Sequence, residues 1–269
     1  MPRHRRARPP RGRRIVDSII HGVGELLITG GLVVALFLVW QLWWTGIDAQ
    51  KKAQVHSAAF EQTQVESPRV EGTRHTEDPP PVDAVGYGGT IGMLVVPRWY
   101  GVTNNNMPIL EGTGPDVLDQ AAAGHYPDTQ QLAEIGNFAI AGHRRTNGNS
   151  FRRIDLLQEG DEIIVVTKDI WYVYTVTGHE IVDPSDVEVI APVPDDPTSA
   201  PTQRMITLTT CNGSTTGEWG NDQRWIVHGT LSYWMPRSEG RPSSIVNDPE
   251  VNGWTNSSGG TCPAPRGSG

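Results

Sequence analysis

Nineteen consecutive residues, Leu26 to Trp44, carry only Thr29 and Gln41 as notably polar side chains. At 1.5 Å rise per residue a helix of that length spans roughly 28 Å, close to the hydrocarbon thickness of a bilayer. Hydrocarbon leaves backbone N–H and C=O groups no partner except each other, so this stretch has to be helical if it is inserted. Trp40, Trp43 and Trp44 gather at one end, where amphipathic rings favour the headgroup region. A cleaved signal peptide has a shorter apolar region and a small-residue boundary, whereas bulky Trp residues stand here. Seven Arg within the first fourteen residues precede the run. Positive residues stay on the cytoplasmic side, which predicts a cytoplasmic N-terminus and an outer remainder.

That remainder is acidic. Beyond residue 45 there are 15 Lys and Arg against 28 Asp and Glu, within an overall net charge of −8. Such a balance does not suit a nucleic-acid partner. Composition then divides the chain: a basic tail over 1–21, a membrane helix over 22–45, a flexible stalk over 46–84, a folded domain over 85–236 and a disordered tail over 237–269. The stalk begins with residues that can continue a helix, Asp48 to Gln64, then mixes charge with Pro79, Pro80 and Pro81 and should be extended or mobile. The C-terminal stretch is rich in Ser, Gly, Pro and Asn and has little to bury.

The middle domain reads as mainly β. Ile91–Val96, Asn137–Ala141, Asp161–Thr167, Trp171–Thr177, Arg204–Thr210 and a strand opening at Arg224 are enriched in β-branched and aromatic residues. Short helical turns are expected over Pro115–Ala123 and Ser150–Leu157. Many short strands with few helices predict a closed or nearly closed β-barrel of about eight strands, which removes exposed sheet edges.

Cys211 stands at the end of an apolar strand, before Asn212-Gly213, where loops can shape a cleft. An ordinary thiol with a pKa near 8.5 is only roughly 3% ionised at pH 7, so a nucleophilic cysteine needs a basic or cationic neighbour. His143, at another strand end, and Arg224, at the start of the strand after the cysteine loop, offer one. Nucleophile, proton-transfer group and fixed cation make a workable catalytic set. A disulfide between Cys211 and Cys262 is the structural alternative, but it would tie a tail segment to the barrel rim.

Thr207-Leu-Thr-Thr-Cys211, followed by Arg224-Trp-Ile-Val-His228, resembles the TLxTC signature and catalytic Arg of the sortases. Gly136-Asn-Phe-Ala-Ile-Ala-Gly-His-Arg144 resembles the segment carrying the sortase catalytic His. Gly124-His-Tyr-Pro-Asp128 and the Gly-His-Arg-Arg-Thr run look most like class E, the group associated with high-GC Gram-positive bacteria, with the related class F, the pilus-building class C and a non-catalytic wall-binding domain as the alternatives. The likeness covers roughly residues 88 to 236, and the ordered trio is far more specific than TLxTC alone. Papain-like enzymes place Cys before His in sequence, the reverse of this order. The Ser-x-Gly-Cys-Arg pattern of L,D-transpeptidases is absent.

The resemblance implies a sortase-type barrel and a membrane-tethered cysteine transpeptidase. Its substrates would be secreted proteins with a C-terminal Leu-x-x-Thr-Gly signal, or Leu-Ala-x-Thr-Gly for class E. Cys211 would attack the Thr carbonyl, and His143 would serve as general acid and base. Arg224 would place the substrate and stabilise the oxyanion. An amine of a cell-wall precursor such as lipid II, or of a pilin, would resolve the thioester. Thr210 would stand near the oxyanion through its hydroxyl or its backbone, and Tyr126 would line the signal groove. This chemistry needs no metal or cofactor. Acidic positions bind calcium in some sortases, but Glu159, Asp161 and Glu162 read as a solvated turn.

Overall fold

The structure is a computed structural model that describes residues 11–102, 106–248 and 251. The basic residues Arg3, Arg5, Arg6 and Arg8, the stretch 252–269 with Cys262, and the side chains of Trp43 and Trp44 lie outside what it describes.

The described residues divide into two compact units, one up to Thr45 and one from Gly46 onward. Helix α1 runs over Arg11–Thr63. Its apolar stretch is long enough to cross a membrane, and Leu26, Ile28, Val33 and Val39 stand exposed along it.

Eight strands make the second unit: β1 (Thr90–Val95), β2 (Met107–Glu111), β3 (Ala123–His125), β4 (Gly136–Ala141), β5 (Glu162–Val166), β6 (Ile170–Val182), β7 (Arg204–Asn212) and β8 (Gln223–Pro236). They close in the order β1-β2-β3-β4-β7-β8-β6-β5, with β5 returning to β1. The pairs β2–β3 and β4–β7 are parallel, and the others are antiparallel. The expected closed barrel is therefore present. One helical turn, α2 (Pro115–Leu118), and a 3-10 turn at Ile154–Leu156 occupy the expected helical stretches.

Alternation along each strand sorts the side chains. Leu94, Ile109, Phe138, Ile140, Ile163, Val165, Tyr172, Tyr174, Ile206, Leu208 and Val227 share one buried core. On β7 this puts Ile206 and Leu208 inward, and Thr207, Thr209 and Cys211 on the opposite face.

Two expectations need correction. The segment expected to be extended or mobile from Glu66 to Asp83 is extended but pinned to the barrel. His75 and Trp234 exchange backbone hydrogen bonds at 2.9 Å, Tyr172 Oη donates to the Pro80 carbonyl, and Trp234 Nε1 donates to the Glu77 carbonyl. Residues 237–248, expected as part of a disordered tail, lie against this strap. Arg237, Arg241 and Ile245 are buried. Ser, Gly and Pro concealed this, because the two segments satisfy each other through backbone groups and two arginines. Arg241 Nε and Nη2 donate to the Ser67 carbonyl, and Ser67 Oγ donates to the Gly240 carbonyl at 2.6 Å. Burial pushes the Arg241 guanidinium below its ordinary range. Arg241→Ala is expected to cost about 2–3 kcal/mol, since it leaves buried carbonyls unpaired. Urea unfolding of the purified protein reads this directly.

Candidate active site

Cys211, His143 and Arg224 reach one end of the barrel on three adjacent strands. In the parallel β4–β7 pair Ala141 stands beside Thr209. Beyond the end of β4 the chain continues beside β7, with Gly142 bonded to the Thr209 carbonyl and Arg144 Nη1 3.5 Å from the Cys211 carbonyl, which sets His143 next to the Cys211 end of β7. In the antiparallel β7–β8 pair Cys211 stands directly opposite Arg224. Opposed residues project to the same face. Cys211 is a free, half-buried thiol at this rim. The structure thus brings the three sequence-identified residues to one end of the barrel, with Cys211 and Arg224 on the face opposite the packed interior.

Local packing sets each position. Gly142 donates its N–H to the Thr209 carbonyl at 3.1 Å, which extends the β4–β7 ladder by one rung. A Cβ on Gly142 would meet the Phe151 ring at 2.8 Å, so only glycine lets the chain pass this buried aromatic before His143. Phe151 N–H donates to the His143 carbonyl at 2.9 Å. Across the site, Gly213 and Gly217 exchange backbone hydrogen bonds and fold the β7–β8 loop back on itself. A Cβ on Gly213 would sit 2.6 Å from the Gly220 Cα. This tight loop delivers Arg224, whose Nη1 donates to the carbonyls of Asn221 and Gln223 at 2.9 and 2.8 Å. Arg145 latches the loop to the β4 side, 3.0 Å from Glu218 and stacked on the exposed Trp219 ring.

Three further residues belong to the constellation, and sequence reading gave them no role. His143 Nε2 lies 2.8 Å from Asp119 Oδ1, and Asn147 Nδ2 donates to the same oxygen. Arg144 follows His143 but turns inward, where it is buried. Its Nη1 approaches the Cys211 carbonyl at 3.5 Å and donates to Asn212 Oδ1. Burial lowers the Arg144 pKa, and the Asp155 carboxylate 3.7 Å away opposes that shift. Adjacency in the chain was the available signal for Arg144. Asp119 carried none, being 24 residues from His143.

The two secondary residues divide. Tyr126 stands on the Cys211 face, its hydroxyl 3.1 Å from Thr209 Oγ1, so it lies along the strip leading to the thiol. For Thr210, the backbone rather than the hydroxyl is what remains for the expected place near the oxyanion. Its side chain is on the opposite face from Cys211, buried, and its hydroxyl donates to the Gly142 carbonyl at 2.6 Å. The alternation of β7 forbids Cys211 and Thr210 from pointing the same way. The Thr210 hydroxyl therefore ties β7 to the turn before His143. Of the acidic turn, Asp161 pairs with Arg98 at 2.6 Å, and Glu162 accepts hydrogen bonds from Tyr233 and Ser244.

On this same face a cleft of about 310 Å³ opens between β6 and the β6–β7 loop, lined by Glu180, Val182, Asp186, Val189 and Asp195 among others. Val182 is the β6 neighbour of Arg224, so the cleft begins beside the guanidinium. Asn137 Nδ2 anchors the loop by donating to the Ala191 carbonyl.

Comparison with known proteins places this architecture. A family model described as the sortase domain matches residues 95–232. Sortase E1 of Streptomyces coelicolor is 36% identical over 252 residues, covering 91% of this chain and 65% of that protein. This chain thus spans slightly less than two thirds of that relative. Sortase E2 of the same organism is 34% identical over 231 residues, 82% of this chain and 87% of the relative. Among solved structures, the SrtA sortase from Actinomyces oris is 74% identical with a TM-score of 0.64, covering 66% of this chain and 98% of that one. Sortase E from Streptomyces avermitilis is 37% identical with a TM-score of 0.52, covering 60% and 99%. With the barrel, the family match and the class E relatives in agreement, the chain belongs to the sortase family of transpeptidases and is class E-like.

Proposed function

We propose that this sortase cleaves a C-terminal Leu-Ala-x-Thr-Gly signal between Thr and Gly through a thioester on Cys211, and joins the Thr carbonyl to an amine. The observation that carries the reading is the register: Cys211 opposite Arg224 on β8, with His143 just beyond the end of the adjacent β4. The Cys211 thiolate bonds to the Thr carbonyl carbon, and the carbonyl oxygen takes on negative charge. The Arg224 guanidinium faces the developing oxyanion and the substrate backbone. As the C–N bond breaks, His143 passes a proton to the departing Gly nitrogen. An incoming amine then gives up a proton to His143, attacks the thioester and releases Cys211.

The acceptor is an amine of a cell-wall precursor or of a surface protein. Helix α1 holds the enzyme in the membrane with its N-terminus cytoplasmic and the barrel outside. Substrate and enzyme retained at one surface meet at raised effective concentration. The pinned strap over residues 65–81 confines the reach to shorter distances than a free stalk would.

Tyr126, beside Thr209 on the Cys211 face, favours Ala after Leu. Incubating the protein with peptides that differ only at this second position, with and without an amine acceptor, tests the whole reading. Leu-Ala-x-Thr-Gly should turn over fastest, and acceptor should divert product from hydrolysis to ligation. Tyr126→Ala should erode the preference for Ala over Pro by about 10-fold, the worth of about 1.4 kcal/mol of groove contact. Equal turnover of all peptides by the wild type would reject the assigned signal.

A further inference from the structure

His143 does not stand alone at its strand end. Asp119 Oδ1 receives both His143 Nε2 at 2.8 Å and the Asn147 side-chain amide. An amide nitrogen only donates, and an ionised carboxylate only accepts. The shared oxygen therefore takes a hydrogen from each, so the imidazole carries its hydrogen on Nε2 and keeps its other nitrogen, Nδ1, for a different partner. Resting on the reading of His143 as the acid–base group, we propose that Asp119 is a positioning residue. It locks the proton of His143 on Nε2 and makes Nδ1 the nitrogen that exchanges a proton with the substrate amine.

The carboxylate is itself held from two sides. Asp119 follows α2, and its N–H donates to the Pro115 carbonyl at 2.9 Å. Gln120 Oε1 lies 3.0 Å from His56 Nε2 on α1, and Gln120 Nε2 donates to the Asp116 carbonyl. Ala121 is fully buried against Ala49 and Ala53 of α1. Asn147 takes φ of 46°, a conformation asparagine tolerates better than most residues, and this aims its amide at Asp119. The part of α1 beyond residue 46 is thus a brace for the turn that holds the imidazole, as well as a tether.

The imidazolium holds hydrogens on both nitrogens. The Nδ1 hydrogen leaves with the Gly amine as the C–N bond breaks and the Sγ–C bond is complete, while the Nε2 hydrogen stays on Nε2 and is donated to Asp119. The incoming amine returns one hydrogen to Nδ1 as it attacks. Without Asp119 the neutral ring would redistribute its hydrogen between the two nitrogens and rotate more freely, and each event removes the productive arrangement.

Nitrogen NMR of the ¹⁵N-histidine-labelled full chain in detergent micelles reads the tautomer, with His143→Gln used to assign the signals. At about pH 8.5, where an ordinary imidazole is neutral, the wild type should show a protonated Nε2 and a bare Nδ1. In Asp119→Ala the two His143 nitrogen shifts should move towards each other as tautomers mix. With a Leu-Ala-x-Thr-Gly peptide, kcat should fall about 10-fold and KM stay within about twofold. Asp119→Asn offers an amide oxygen in the same place and should recover at least about threefold in kcat. A wild type protonated on Nδ1, or a folded Asp119→Ala protein whose nitrogen shifts are those of the wild type, overturns the proposal. If the nitrogen shifts behave as stated but no thioester forms on Cys211, the proposed function fails and the Asp119 contact stands.

Discussion

Cys211→Ala is expected to lower turnover of a sorting-signal peptide by roughly 10⁴-fold or more, with no thioester formed at any time. The size follows from what is removed. The barrel, His143 and Arg224 all remain, but water would have to replace a sulfur that attacks the carbonyl intramolecularly. Stability should move by less than about 1 kcal/mol, because Cys211 is half-buried at a rim and packs into no tight layer. Peptide should still bind, since the Tyr126 and Thr209 strip and the neighbouring cleft are untouched. Continuous assay of peptide cleavage, paired with thermal unfolding, separates the two effects. Retained cleavage in a folded Cys211→Ala protein would rule out the cysteine mechanism.

Arg224→Lys is the second large effect, an expected loss of about 10²-fold in kcat. The substitution keeps the charge and nearly the length. What it loses is the planar fork: Nη1 of Arg224 is committed to the Asn221 and Gln223 carbonyls, which leaves the rest of the same guanidinium for the proposed substrate contact. A lysine ammonium cannot hold the loop carbonyls and point a second rigid donor at an oxyanion. The loss should fall on kcat more than on KM if the donor acts chiefly in the transition state. A lysine variant with wild-type kcat would mean that Arg224 only braces the β7–β8 loop.

Sequence carried much of this. The strands rich in Ile, Val and Tyr announced themselves, and the Thr-Leu-Thr-Thr-Cys211 and Gly142-His143 runs marked the candidate site because side chains that are to act together must leave neighbouring strand ends in a fixed order. The short β2 and β3 were not legible: Met107–Glu111 contains a proline, and Ala123–His125 is three residues whose pairing depends entirely on neighbours. The strap and the 237–248 segment were missed for a related reason. Their order comes from backbone hydrogen bonds between distant parts of the chain and from buried arginines, and composition sees neither. The direction of the Thr210 hydroxyl was not legible because a motif lists neighbours, while a strand sends successive side chains to opposite faces. Asp119 was invisible because α2 and β3 bring it beside His143 only once the barrel closes.

The most direct test of the central claim is intact-mass and peptide-mapping spectrometry of the full-length protein incubated with a Leu-Ala-x-Thr-Gly peptide and no amine acceptor. The account predicts a hydroxylamine-sensitive adduct ending at the Thr carbonyl, carried by the fragment containing Cys211, and its disappearance when an amine is added. Cleavage that proceeds with no adduct on Cys211, or an adduct on another residue, would contradict it.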